Sequence, residues 1–381
     1  MAEYPKTAEE LAEMLACAAA QRKTIELGGN FTKCAGAGPV TPADVTVSTA
    51  QLNRVLAYEP RDLTLSVEAG ITYSALSQVL RPHAQMIPLD PPFSADATIG
   101  GIIASNSSGP RRRLFGTARD LVIGMKFATL EGKLIQSGGM VVKNVAGLDM
   151  AKLMIGSWGT LAAITSVNFK LVPIPAVERT MLLGVDSPRA AMDLRDRLIR
   201  GVLQPSAVDF VGLRAAAELG YKKALLAVEF GGNRAVIERC QREMLQWAEP
   251  VDLTEGEAEL FWFQIQNFTP SLLEKSTGAT VVRISTTLSG MCEALQTLDV
   301  PVIARAASGV IYAYFSLASL AAKWMSSNPQ WTSVIEYGPS EERRWLSLWP
   351  SPGSELELMK RAKEMFDPHN LLNRGRYYRH F

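Results

Sequence analysis

Four stretches in which glycine stands beside serine, threonine or asparagine set the terms for this chain. They are "GGNFTK" at 28–33, "DPPFSADATIGG" at 90–101, "NSSGPRRRLFG" at 106–116 and "GSWGTLAAIT" at 156–165. Glycine pairs leave amide N–H groups uncovered and let the backbone approach a neighbour closely, which suits an anion. Any one pair is equally what a tight turn needs. Four such segments in the first half of one chain favour a cradle over four unrelated turns.

Between them the chain alternates helix and strand. The stretch 7–21 has apolar residues at helical spacing, and "TIEL", "VTVST" and "LTLSVEAG" are short β-branched runs bounded by turn residues. "TYSALSQVLRPHA" reads as a helix stopping near Pro82, and "LVIGMKFATLEGKLIQSG" as a hairpin turning at Glu131-Gly132. After a short helix and a glycine turn, a long strand ends at Pro173. "VPIPAVE" at 172–178 is a linker candidate. Beyond it, strand, helix, strand, strand, helix, the strand "ATVVRIS" and a strand pair around 301–315 predict an antiparallel sheet with helices on one side. The reading is α+β, with a domain at 1–174, a second at 175–354 and a segment at 355–381 returning to the first.

Other chemistries find little support. Net charge is +1, so no general nucleic-acid or membrane-surface binder is indicated. Cys17, Cys34, Cys240 and Cys292 are scattered, without a C-x-x-C pair, so no metal site and no iron–sulfur cluster held by this chain is expected. No G-x-G-x-x-G or P-loop pattern occurs. The N-terminus is acidic ahead of its apolar part and reads as an amphipathic helix, not a signal peptide. The uncharged run 306–322 is short for a membrane span. A cytoplasmic protein is expected.

"ATIGG" followed by A-x-N-x-x-G, then "GTARD", "VVKNVAGLDMAKLMIGSWG" and the ending "FDPHNLLNRGR" resemble the vanillyl-alcohol-oxidase (PCMH-type) FAD-binding proteins. Within that group, "GPRRRLFGTARD" is similar to the FAD-binding E-type subunits of bacterial glycolate oxidases. The resemblance is strong over 20–175, weak through 176–355 and returns in the last twenty residues.

It implies a PCMH-type FAD-binding domain of two subdomains, with a cap domain of antiparallel sheet and helices. It further implies an FAD whose diphosphate meets two glycine loops: Gly28, Gly29, Asn30, Phe31 and Thr32 in one, Thr98, Ile99, Gly100 and Gly101 in the other. Ser108, Gly109 and Gly116 would follow the ribityl and ring region, and Ile164 the adenine side. Asn373 and Arg376 stand where the family's L-N-P-G-K ending returns to the cofactor, with arginine replacing that lysine. Lys143 and Asn144 fall in a matching motif, or are a polar pair at a helix start. No histidine occupies the first loop, so non-covalent FAD is implied.

The resemblance also implies an FAD-dependent oxidoreductase subunit acting on a small 2-hydroxy acid, glycolate or D-lactate. Its partners would be a larger FAD-containing dehydrogenase subunit and an iron–sulfur subunit, with peripheral membrane contact only through them. The catalytic relatives carry a histidine-rich H-x-G-D-G-N segment; here no histidine occurs between positions 84 and 368. A hydroxy acid needs a base for its hydroxyl proton, so the catalytic residue stays unassigned. A self-sufficient FAD oxidase and a flavin-containing scaffold without turnover remain open. Trp158 stands where some relatives have an acid. Arg111–Arg113 are either a solvated face or a gate for carboxylates or an acidic partner. Arg283, Arg305, Tyr312 and Tyr314 are either ordinary strand residues or a grip for a carboxylate.

Overall fold

The computed structural model describes residues 2–141, 147–378 and 381, so Lys143 and Asn144 lie outside the described residues. The chain divides into two compact units. One comprises Met1–Ser108, Gly116–Ile174 and Ser351–Phe381, the other Gly109–Phe115 and Pro175–Pro350. The tri-arginine stretch, read from sequence as part of 1–174, therefore groups with the second unit.

The first unit is built on two main sheets, beside a two-stranded pair of Gln85–Met86 and Val172–Pro173. Strands Ala2–Glu3, Val45–Ser48 and Ile25–Gly28 lie parallel in that spatial order. Their core joins Leu11 and Leu15 of helix Ala8–Ala20 to Ile25, Val47 and Leu52. Thr7 starts that helix by accepting the amide of Glu10, as an N-cap does. Leu371 and Leu372 complete the same core, and Leu372 bridges Ile25. The end of the chain is thus held beside the strand that leads into Gly28 and Gly29.

The other sheet is antiparallel, in the order Val55–Glu59, Thr64–Glu68, Ala163–Lys170, Val122–Ala128 and Leu134–Gly138. Leu65, Val67, Met125, Phe127, Val167 and Phe169 bury one another with Ile99, Ile102 and Ile103. "ATIGG" is therefore no extended loop. Thr98 caps helix Ile99–Ser105, its hydroxyl accepting the amide of Gly101. Gly100 lies against Ala69, where an added Cβ would meet the alanine's own Cβ at 2.9 Å.

The second unit carries an eight-stranded antiparallel sheet: Val251–Asp252, Val177–Val185, Ala224–Gly232, Ala207–Val211, Val302–Arg305, Val310–Phe315, Thr280–Ser285 and Thr332–Tyr337. Alternation sends Leu183, Phe210, Val228, Ile284, Ile311 and Ile335 to one face, against helices Pro188–Arg200, Arg234–Leu245, Met291–Gln296 and Ala318–Ser327. The intervening positions, among them Asp209, Glu229, Arg283, Arg305, Tyr312 and Glu336, point to the other face. The fold is α+β throughout.

Candidate cofactor site

A cavity in the first unit has about 710 Å³ of space between its walls, part of it open to solvent. Six segments meet there, one of them contributing Thr49 alone. Leu27 to Cys34 leave the parallel sheet, and Thr98 to Ser105 supply one side of the glycine-bearing helix. Trp158 and Gly159 come from a glycine turn, Ala162 and Ile164 from the start of a strand, and Asn373 and Arg376 from the chain's end.

The two glycine turns touch. A Cβ built on Gly29 would stand 2.1 Å from the Thr98 hydroxyl oxygen, so only glycine permits this approach. Asn30 reaches across as well, its Nδ2 donating to the Asp96 carbonyl at 2.8 Å. Among the described residues no acceptor meets the backbone amides of Asn30, Phe31 and Thr32. Successive unpaired amides make a nest for an anion.

Charge agrees with that geometry. Of the lining residues Lys33 and Arg376 are cationic and none is acidic. Arg376 is buried to 6% exposure, with Nη1 donating to the carbonyls of Gly36 (2.7 Å) and Gly38 (3.2 Å). Its Nε has no partner among the described residues, and its guanidinium lies 5.6 Å from the centre of the Trp158 ring. Burial pulls its pKa below the ordinary arginine value, with Cys34 and Glu26 acting the other way. A buried cation without an ion-pair partner is costly unless a ligand's charge answers it.

Asn373 fixes the arrangement. Its Oδ1 accepts the Leu27 amide at 2.7 Å, while Nδ2 donates to the carbonyls of Leu27 (3.0 Å) and Trp158 (2.9 Å). One side chain thus ties the first glycine loop to the 156–159 turn. Phe31, Trp158 and Asn373 all have φ between 46° and 53°. Such strained non-glycine residues gather where a site over-determines the backbone. Lys363 supports the same segment from helix Glu355–Phe366. Its buried Nζ donates to Thr160 O (2.8 Å), Leu372 O (3.0 Å) and Asp367 Oδ2 (2.7 Å).

Of the residues expected at a cofactor, Gly28, Gly29, Asn30, Phe31, Thr32, Thr98, Gly100, Gly101, Ile164, Asn373 and Arg376 line this cavity. Ile99 does not, because the helix turns it into the core. Ser108, Gly109 and Gly116 are also absent from the lining, and Gly109 belongs to the second unit. Ala104, which opens the A-x-N-x-x-G motif, and Ser105 were not named as site residues. They lie a helical turn beyond Gly101, a spacing visible only once 99–105 is taken as helix. Thr49 lacked any distinguishing pattern, and Gly159 was marked only as part of the 156–165 glycine segment. Arg283, Arg305, Tyr312 and Tyr314 belong to the second unit's sheet.

Residues 2–138 match the family model of the FAD binding domain, and 349–377 that of the C-terminal domain of FAD linked oxidases. Glycolate oxidase subunit GlcE of Escherichia coli is 30% identical over 189 residues, 49% of this chain and 53% of that protein. Glycolate oxidase subunit GlcD of Bacillus subtilis is 29% identical over 244 residues, 62% of this chain and 52% of that protein. The chain spans about half the length of these curated relatives. Among solved structures, p-cresol methylhydroxylase with substrate bound superposes with a TM-score of 0.76 at 14% identity, over 98% of this chain and 88% of that one. The fold is that of the PCMH-type FAD-binding proteins, and the cofactor is FAD.

Proposed function

We propose, from the premise that the first unit is an FAD-binding domain, that this chain is a flavoprotein subunit of a 2-hydroxy-acid oxidising assembly. Glycolate or D-lactate is the substrate class, FAD is bound without a covalent link, and electrons leave through an iron–sulfur partner. The observation carrying the reading is the contact between two glycine turns under three amides unpaired among the described residues, where Lys33 and Arg376 are the only charges on the lining.

The residues suit the group. The amides of Asn30, Phe31 and Thr32 would donate to diphosphate oxygens, and Lys33 would add positive potential beside them. Arg376 would hold its cation where negative charge accumulates on reduction, with Asn373 keeping both loops in register. FAD, when bound, supplies the hydride acceptor. Lines 175–350 of the sequence contain no histidine, so the base for the hydroxyl proton is another side chain or a partner's. The subunit reading follows from that, and the location would be cytoplasmic. Among the described residues no helix is long and apolar enough to cross a membrane.

The test is purification and mixing. The chain should carry a yellow chromophore that acid releases, and should turn over a hydroxy acid only when a larger dehydrogenase subunit is added. Turnover by the isolated chain with an artificial acceptor would favour a self-sufficient oxidase. A colourless chain that refuses added FAD would overturn the reading.

A further inference from the structure

The tri-arginine is a sequence motif that the cofactor cavity does not use, and the second unit shows how its members divide. Arg111 is spent on carboxylates. Its Nε and Nη2 each meet one oxygen of Glu229 at 2.9 Å, and Nη2 also meets Glu178 at 3.1 Å. Glu229 is buried and accepts Ser206 Oγ at 2.8 Å as well. Arg113 donates to the Ala307 carbonyl at 3.5 Å. These contacts fasten the short helix Arg112–Phe115 to the sheet face opposite the packed helices.

Arg112 is half-buried, and among the described residues its side chain makes no ion pair or hydrogen bond. On the same face Arg305 is buried to 7% exposure, with Nη1 on Asp209, its guanidinium 5.5 Å from the centre of the Tyr312 ring and its Nε without a partner. Arg283 pairs with Glu336 at 3.4 Å. Five cations (Arg111, Arg112, Arg113, Arg283, Arg305) thus face four acids (Glu178, Asp209, Glu229, Glu336), an excess of one positive charge. Tyr312 also has a hydroxyl without a hydrogen-bond partner among the described residues. Burial raises its pKa and so keeps it a neutral donor, while Arg112 is among the charges acting on it.

We propose that Arg112, the Tyr312 hydroxyl and Arg305 Nε form a recognition point for one small monocarboxylate. A cation, a phenolic donor and a buried guanidinium N–H without an acceptor together match a singly charged planar anion. Arg305 and Arg283, the strand arginines that the sequence also offered as a carboxylate grip, are already neutralised within the chain. The inference rests on the reading of the substrate as a 2-hydroxy acid, and assigns its carboxylate to Arg112.

The test is calorimetric titration of the FAD-loaded chain with glycolate, with inorganic phosphate as a competitor. Arg112→Gln should weaken glycolate at least tenfold, Arg112→Lys less, and Tyr312→Phe severalfold, all with unchanged FAD content and melting temperature. Glycolate affinity indifferent to Arg112→Gln and Arg112→Lys alike would overturn the proposal, as would a loaded wild type that binds no glycolate. Phosphate competing as well as glycolate would overturn the monocarboxylate assignment. A chain without FAD would instead sink the functional reading itself, so the two failures are distinguishable.

Discussion

Gly29→Ala probes the contact between the two glycine turns. The new methyl carbon would lie 2.1 Å from Thr98 Oγ1, 2.7 Å from its Cγ2 and 2.9 Å from its Cβ. Carbon–carbon contacts relax only near about 3.5 Å. Rotating the hydroxyl away clears the first clash but not the other two, and it forfeits the cap on Gly101, a bond of 3.3 Å. Over-packing of this kind costs about 1–3 kcal/mol, and a lost threonine cap about 1 kcal/mol. The sum, about 2–4 kcal/mol, is roughly a 30- to 700-fold change in an equilibrium constant. FAD titration by flavin fluorescence, paired with thermal melting of the cofactor-free chain, shows how that cost divides between affinity and stability. Thr98→Ala alone should cost about 1 kcal/mol. The double variant keeps only the 2.9 Å approach. It should recover about 1–2 kcal/mol relative to the sum of the singles. Strict additivity, or a Gly29→Ala chain with native affinity and melting, would refute the claim that these turns touch.

Other substitutions read the remaining walls. Arg376→Met should weaken FAD at least tenfold while costing the cofactor-free chain little, since it removes a buried cation that makes no ion pair among the described residues; equal FAD affinity would contradict this. Asn373→Ala should cost about 3 kcal/mol, from lost hydrogen bonds and a residue at φ 46°. Asn373→Gly should be milder because only the hydrogen bonds are lost, and denaturant melts compare the two. Burial is the main influence lowering the Lys363 pKa, with Asp367 partly opposing it. The folded chain then holds that proton less tightly than the unfolded chain. This site's contribution should rise with pH between the lowered value and the ordinary 10.5, and Lys363→Met should flatten that rise in melts across alkaline pH.

Much of this was legible in the residues because glycine leaves so few alternatives. The approach at Gly29 admits no side chain, and the first glycine loop kept its place from motif to cavity. Alternation along 207–211 and 310–315 likewise marked strands whose polar positions, Asp209, Tyr312 and Tyr314, lie on the face away from the core. What stayed hidden depended on burial across long sequence separation. Helix 99–105 carries two glycines and is too short for periodicity to declare itself, yet packing of Ile99, Ile102 and Ile103 holds it helical. The division of labour within Arg111–Arg113 was equally unreadable, because Glu229 lies 118 positions away. Lys363 gave no signal at all, since its three acceptors are brought together only by the returning chain end.

The diphosphate itself offers the most direct measurement. Titrating the cofactor-free chain with FAD and, separately, with riboflavin, which lacks the diphosphate and the adenosine beyond it, reads what the free amides of residues 30–32 and Lys33 contribute together with the adenosine contacts. The account predicts one FAD per chain and riboflavin binding at least a hundredfold weaker. Equal affinities would contradict it.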